Sequence, residues 1–207
     1  MTPAEYINDH EAFVFELDDV LYPVRDFHLQ VYYLFASFME YTEQLSANEI
    51  LQFMKSTYEQ TGPEQILEKT MSQFGISTKY KENFALLNKT AKLPLKLLIF
   101  DPVLKFMQDL VVERRTIYLL VAGDPEQQLN KIRQVEWNGL EQYIRVFFKN
   151  EITMNPDHDS LGKFVTAHKL HPKAVLVIGR AEADQHMAAE LGINYLHVDK
   201  LLSAELR

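Results

Sequence analysis

Three acids, Glu16, Asp18 and Asp19, stand within four residues just after the apolar run Ala12-Phe13-Val14-Phe15. Acids at the end of a buried strand cost desolvation unless something pairs with them. Glu16 and Asp18 are two positions apart, so they share one face wherever the strand continues. The pattern suits either a site built from carboxylates or a solvated turn carrying incidental acids. In open parallel sheets ligands bind beyond the carboxyl ends of the strands, which makes each strand end a candidate position. Other chemistries have less to work with. The chain has no cysteine, which excludes thiolate nucleophiles, disulfides and cysteine-ligated metals together. Its seven histidines, at 10, 28, 158, 168, 171, 186 and 197, form no helical metal-ligating pair. His168 and His171 straddle a helix end, where an imidazole suits the helix dipole. Gly123-Asp124-Pro125 is too poor in glycine for a phosphate loop, although the helix beginning there offers free N–H groups to an anion.

Two patterns alternate around these residues. Short apolar runs at 12–17, 116–121, 174–178 and 194–198, with a weaker one at 145–148, read as strands. Helical periodicity fills 102–112, 125–137, 159–170 and 182–191 between them. Such alternation predicts an α/β protein with a Rossmann-like parallel sheet core flanked by helices. Residues 24–92 break the rhythm and read as four helices, at 24–41, 47–61, 63–74 and 79–92. Gly62-Pro63 marks a stop followed by a start, and Gly75 suits a helix end. Along the first of these helices Phe27, Val31, Leu34, Phe35 and Phe38 fall near one face, as a core stripe would, while Tyr32, Tyr33 and Tyr41 fall elsewhere. The expected organisation is an α/β core of residues 1–23 and 93–207, with a helical-bundle cap of residues 24–92 inserted after the first strand.

The 207 residues carry 21 basic and 29 acidic side chains, a formal charge of −8. A chain of this size buries enough surface to fold without disulfides or a structural metal. Its acidity argues against nucleic acid as a partner, since such binding needs a basic footprint. No apolar stretch approaches the ~20 residues of a membrane span. The N-terminal residues lack the cationic start and apolar run of a secretory signal. A cytoplasmic protein is expected, with a small phosphorylated or anionic ligand or a protein as partner, and neither nucleic acid nor membrane.

The stretch Phe15-Glu16-Leu17-Asp18-Asp19-Val20-Leu21-Tyr22-Pro23 resembles the first motif of the haloacid dehalogenase superfamily, a strand ending in Asp-x-Asp. Glu16 stands where that motif has its nucleophilic Asp. Residues 121–132 resemble the second motif, with Ala122 in place of Ser or Thr. Residues 154–161 resemble the third, with Asn155 in place of a phosphate-contacting Lys before Pro156. Residues 177–193 resemble the fourth, with Arg180 replacing its first acid and Asp184 matching its second. The resemblance runs from about Phe13 to Val198, and the inserted helices stand where the helical-cap phosphatase-like subgroup carries its cap.

The resemblance implies phosphoryl transfer: an Asp attacks phosphorus with help from Mg²⁺, and a second Asp serves as acid and then base. Glu16 and Asp18 are the matching catalytic pair. Ala122, Gly123 and Asn155 match ligand-contacting positions, and Glu16, Asp18 and Asp184 would hold Mg²⁺ if the metal were retained. Of the six catalytic motif positions, Glu16, Ala122, Asn155 and Arg180 are altered, and Asp18 and Asp184 are kept. Glu16 is one methylene too long, and ~1 Å of misplacement can cost ~100-fold in rate. Ala122 offers no hydroxyl and Asn155 no positive charge. Arg180 offers a metal only donors and the wrong sign of charge. The set implies a catalytically impaired pseudo-phosphatase that acts in binding or regulation and uses no cofactor. The alternative is a slow phosphohydrolase with Glu16 as nucleophile, Asp18 as acid and base, and Mg²⁺ as cofactor. Without a metal the clustered carboxylates need another cation, and Arg180 is expected to lay its guanidinium on them. Lys149, after the weak strand, is a further cation, but its spacing gives no reason to choose it.

Overall fold

The computed structural model describes residues 2–203, apart from the side chain of Asp157. The chain divides into two compact units. One comprises residues up to 23, then 98–128 and 135 onward; the other comprises 24–97 and 129–134.

The first unit is built on a five-stranded sheet. Its strands are β1 (Ala12–Phe15), β2 (Thr116–Val121), β3 (Ile144–Phe148), β4 (Val175–Gly179) and β5 (Asn194–His197). The spatial order is β3-β2-β1-β4-β5, and every ladder is parallel. β1 lies at the centre, with Phe15 level with Leu119 on one side and Ile178 on the other. All four of its residues are buried, as an unbroken apolar run requires of a strand covered on both faces. Alternation along β1 serves both layers. Phe13 packs edge-on against Phe106 of the helix Asp101–Val112, with ring centroids 5.8 Å apart. Ala12 and Val14 join the opposite cluster with Tyr118, Phe164 and Val165.

The order of connections reverses at β1, whose neighbours β2 and β4 lead outward in opposite directions. A crevice beyond the carboxyl end of β1 follows from that topology. The N-terminal helix Pro3–Asp9 was not foreseen from periodicity, yet its signal is local: Thr2 and Glu5 form a capping box, with Pro3 at the first helical position. His10 then ties the segment to β5, its Nδ1 2.8 Å from the Tyr6 carbonyl and its Nε2 2.8 Å from the Asn194 amide nitrogen.

The second unit contains the helices Val24–Glu43, Ala47–Thr61, Ile66–Phe74 and Lys81–Thr90. The third starts at Ile66 rather than Pro63, because Gln65 adopts a left-handed conformation before it. Tyr32 is not off the core face: it is buried with Phe35, Met39, Ile50 and Met54, whereas Tyr33 and Tyr41 are exposed. The unit also takes residues 93–97 and 129–134, which periodicity assigned to the α/β core. Side-chain amides explain this. Gln134 donates to the Ala91 carbonyl at 2.7 Å and accepts from the Leu93 N–H at 2.6 Å, and Gln30 accepts from the Leu95 N–H at 2.7 Å. Phe13→Ala, at the centre of the sheet, is expected to cost roughly 3–5 kcal/mol, read as a lowered urea midpoint.

Candidate functional site

The ladder carries one bond past β1, because the Glu16 N–H donates to the Ile178 carbonyl at 3.1 Å. The chain then folds into a tight turn. The Leu17 carbonyl accepts from the N–H groups of Val20 and Leu21, and Asp19 takes a left-handed φ of 58° that Asp tolerates better than most residues. This turn sets Asp18 beside Tyr22, whose hydroxyl donates to Asp18 Oδ1 at 2.8 Å. Gln128 Nε2 donates to the other oxygen at 3.3 Å. Gln128 reaches it from the first turn of the helix Pro125–Gln134, where Asp124 Oδ1 caps the Gln127 N–H at 3.0 Å.

Glu16 is the most constrained acid. Its Oε2 accepts from the Arg180 backbone N–H at 3.2 Å, while Oε1 is sealed from solvent with no donor directed at it. The carboxyl group occupies the space above Gly179, where a Cβ would collide with Glu16 Oε1 and come within 2.8 Å of the Tyr195 hydroxyl. Burial, then a hydrogen bond to Asp184 and repulsion from its charge, push the Glu16 carboxyl up to about 8; the Arg180 N–H and Lys149 oppose this less strongly. The shift favours the protonated form of Glu16 at neutral pH, a form able to donate to Asp184. Burial and the nearby Asp18 likewise raise the Tyr22 hydroxyl, keeping it a donor.

Lys149 completes the cluster. It is the first residue of the short helix Lys149–Ile152, directly after β3. Its Nζ lies 2.6 Å and 2.8 Å from the two oxygens of Asp184, which projects from the first turn of the helix Glu182–Glu190. Both partners are almost wholly buried, at 5% and 9% exposure. A cavity of about 160 Å³ is walled by Glu16, Asp18, Ala122, Gln128, Lys149 and Asp184, with apolar neighbours.

These positions correct several expectations from sequence. Arg180 does not lay its guanidinium on the carboxylates; that group pairs with Asp199 at 2.7 Å near the surface, and only its backbone meets Glu16. The reason is direction: the chain turns outward after Gly179, and Asp199 is the acid within reach. Asn155 is exposed at the head of the helix Pro156–Ala167 and is not part of the cavity wall, nor is Gly123. Lys149, Gln128 and Tyr22 belong to the site but were not chosen from sequence. The available signal for Lys149 was its place immediately after a strand, where the sheet's ligand crevice opens.

Mg²⁺, which the family resemblance implies, does not fit this set. Asp184 gives both oxygens to an ammonium, Arg180 replaces the remaining acid, and Asp18 is already engaged by two donors. Among the described residues no three His, Asp or Glu side chains converge closely enough to hold a metal ion.

Comparison with known families decides the ancestry. The model of haloacid dehalogenase-like hydrolases matches residues 13–198. The chain belongs to that family. Solved structures agree on the fold. A putative beta-phosphoglucomutase from Thermotoga maritima has a TM-score of 0.63 at 14% identity, covering 95% of this chain and 98% of its own. A defluorinating L-2-haloacid dehalogenase reaches 0.57 at 13% identity, with 90% and 80% covered. A hydrolase from Streptococcus pneumoniae reaches 0.53 at 16% identity, with 96% and 98% covered. No curated protein matches the chain. Within this haloacid dehalogenase-like chain, none of the described helices is long and apolar enough to cross a membrane.

The half-buried Glu16 gives stability a defined pH dependence. Below about pH 4.5 it is protonated in both folded and unfolded chains, so its contribution is fully present. Between 4.5 and about 8 the folded chain keeps a proton that the unfolded chain has lost, and stability falls as pH rises. The expected slope is at most about 1.4 kcal/mol per pH unit. Glu16→Gln should flatten it in urea titrations run across this range. Gly179→Ala should displace the Glu16 side chain and lower the unfolding temperature in calorimetry, more so than Gly162→Ala, which lies in a helix and where an added Cβ meets nothing nearer than 3.4 Å.

Proposed function

We propose that this haloacid dehalogenase-like protein is a catalytically impaired member of its family that acts by binding or regulation, engaging a small ligand or a protein. The observation that carries the reading is the bidentate grip of Lys149 on Asp184. Phosphoryl transfer depends on cations that neutralise the transferring oxygens. Here the buried cation of the cavity is committed to an internal acid, and Ala122 brings no hydroxyl to the wall. Glu16 supports the same reading, since a neutral carboxyl group is a poor nucleophile. Acidic walls around a small cavity also repel a phosphate dianion.

A second reading, slow hydrolysis of a small phosphate ester, draws on the presence of Glu16 and Asp18 in one cavity wall. Its signature is a rate that climbs toward pH 8 as Glu16 ionises, with Asp18 as acid and base. Generic phosphate esters assayed with and without Mg²⁺ separate the two. Turnover is expected to stay at background, unchanged by Mg²⁺ and by Asp18→Asn. Mg²⁺-dependent turnover that disappears in Asp18→Asn overturns the impaired-enzyme reading.

A further inference from the structure

A divalent cation among clustered carboxylates has an electrostatic task before any reaction begins: it holds together acids that otherwise repel. In this chain the task is already filled. Glu16 and Asp184 sit side by side under burial, and Lys149 Nζ meets both Asp184 oxygens at 2.6 Å and 2.8 Å. Lys149 is the one cation bonded to Asp184 among the described residues. Its position is fixed by the backbone, because it opens a helix immediately after β3 and its side chain is 6% exposed. A metal ion seeking Asp184 would have to displace this ammonium.

We propose that the Lys149 ammonium takes over the charge-neutralising role of a divalent cation in this site and makes the folded protein indifferent to such ions, an inference that rests on the impaired-hydrolase reading. Removing the ammonium leaves the buried Asp184 beside the half-buried Glu16. Mg²⁺ is commonly held by one or two carboxylates and several waters, so that pair is a minimal cation site. The metal response is therefore latent in the chain and masked by a lysine.

Thermal unfolding of the full chain with and without millimolar Mg²⁺ or Mn²⁺ tests this. The wild-type unfolding temperature is expected to be unchanged by either ion. Lys149→Met should lower it by roughly 6–20 °C, as removal of one partner of a buried ion pair does in a chain of this size. Either ion should restore part of that loss. Lys149→Met combined with Asp184→Asn should recover stability without gaining a metal response. A wild-type unfolding temperature that rises with Mg²⁺ overturns the inference, and so does a Lys149→Met variant as stable as wild type and blind to both ions. If Lys149→Met does not fold, folding of the double variant supports the proposal, while a double variant that also fails to fold overturns it. The two readings fail separately. A wild-type metal response without phosphate-ester turnover removes this inference alone, whereas Mg²⁺-dependent turnover removes both.

Discussion

Acids drawn partly out of water at the end of a central strand must be compensated, and the α/β unit is arranged around that requirement. The cost of taking a carboxylate out of water is several kcal/mol, so each one needs donors, a counter-charge or a proton. All three remedies are present. Asp18 takes donors, from Tyr22 and Gln128. Asp184 takes a counter-charge from Lys149. Glu16 is pushed toward its protonated form, and the one backbone N–H it receives, from Arg180, only partly opposes this. The three solutions come from four different strand ends, which is why the parallel order β3-β2-β1-β4-β5 is a precondition for the site.

Most of the fold was legible in the sequence because burial dictates it. AFVF, IYLLV and VLVIG are apolar without a break, as expected of a doubly covered strand. Helix 47–61 was legible to the residue, with Gly62 read as its stop, and Ser46 caps its other end. The errors lie where a short-range signal was outweighed. The helix expected over 125–137 ends at Gln134, since Val135 is buried in a two-residue strand with the exposed Glu136. The return from the helical unit is governed by Gln30, Asn130 and Gln134, whose amides bond to backbone far away in sequence. No periodicity encodes such a partner.

The candidate site was legible in part and for a similar reason. Motif spacing located Glu16, Asp18, Ala122 and Asp184, all of which line one cavity. Motif spacing also favoured Arg180 over Lys149, and there it misled. An arginine four residues from Asp184 in sequence is turned outward by its backbone, while a lysine 35 residues from Asp184 is aimed inward. Charge type is visible in a sequence; the direction of a side chain at a strand end is not. Family membership itself is a statement about the scaffold, and the chemistry of this member depends on which side chains now face inward.

The glycine at 179 gives the acid at 16 a further meaning. The carboxyl of Glu16 fills the volume that any side chain at 179 would need. Positions 16 and 179 thus share one parcel of space, and a longer residue at the first is matched by the smallest at the second. Shortening Glu16 to Asp would not simply rebuild the family's nucleophile. It would open a void above Gly179 one methylene deep, so the extra length of Glu16 is a packing element of the present core as much as an altered functional group.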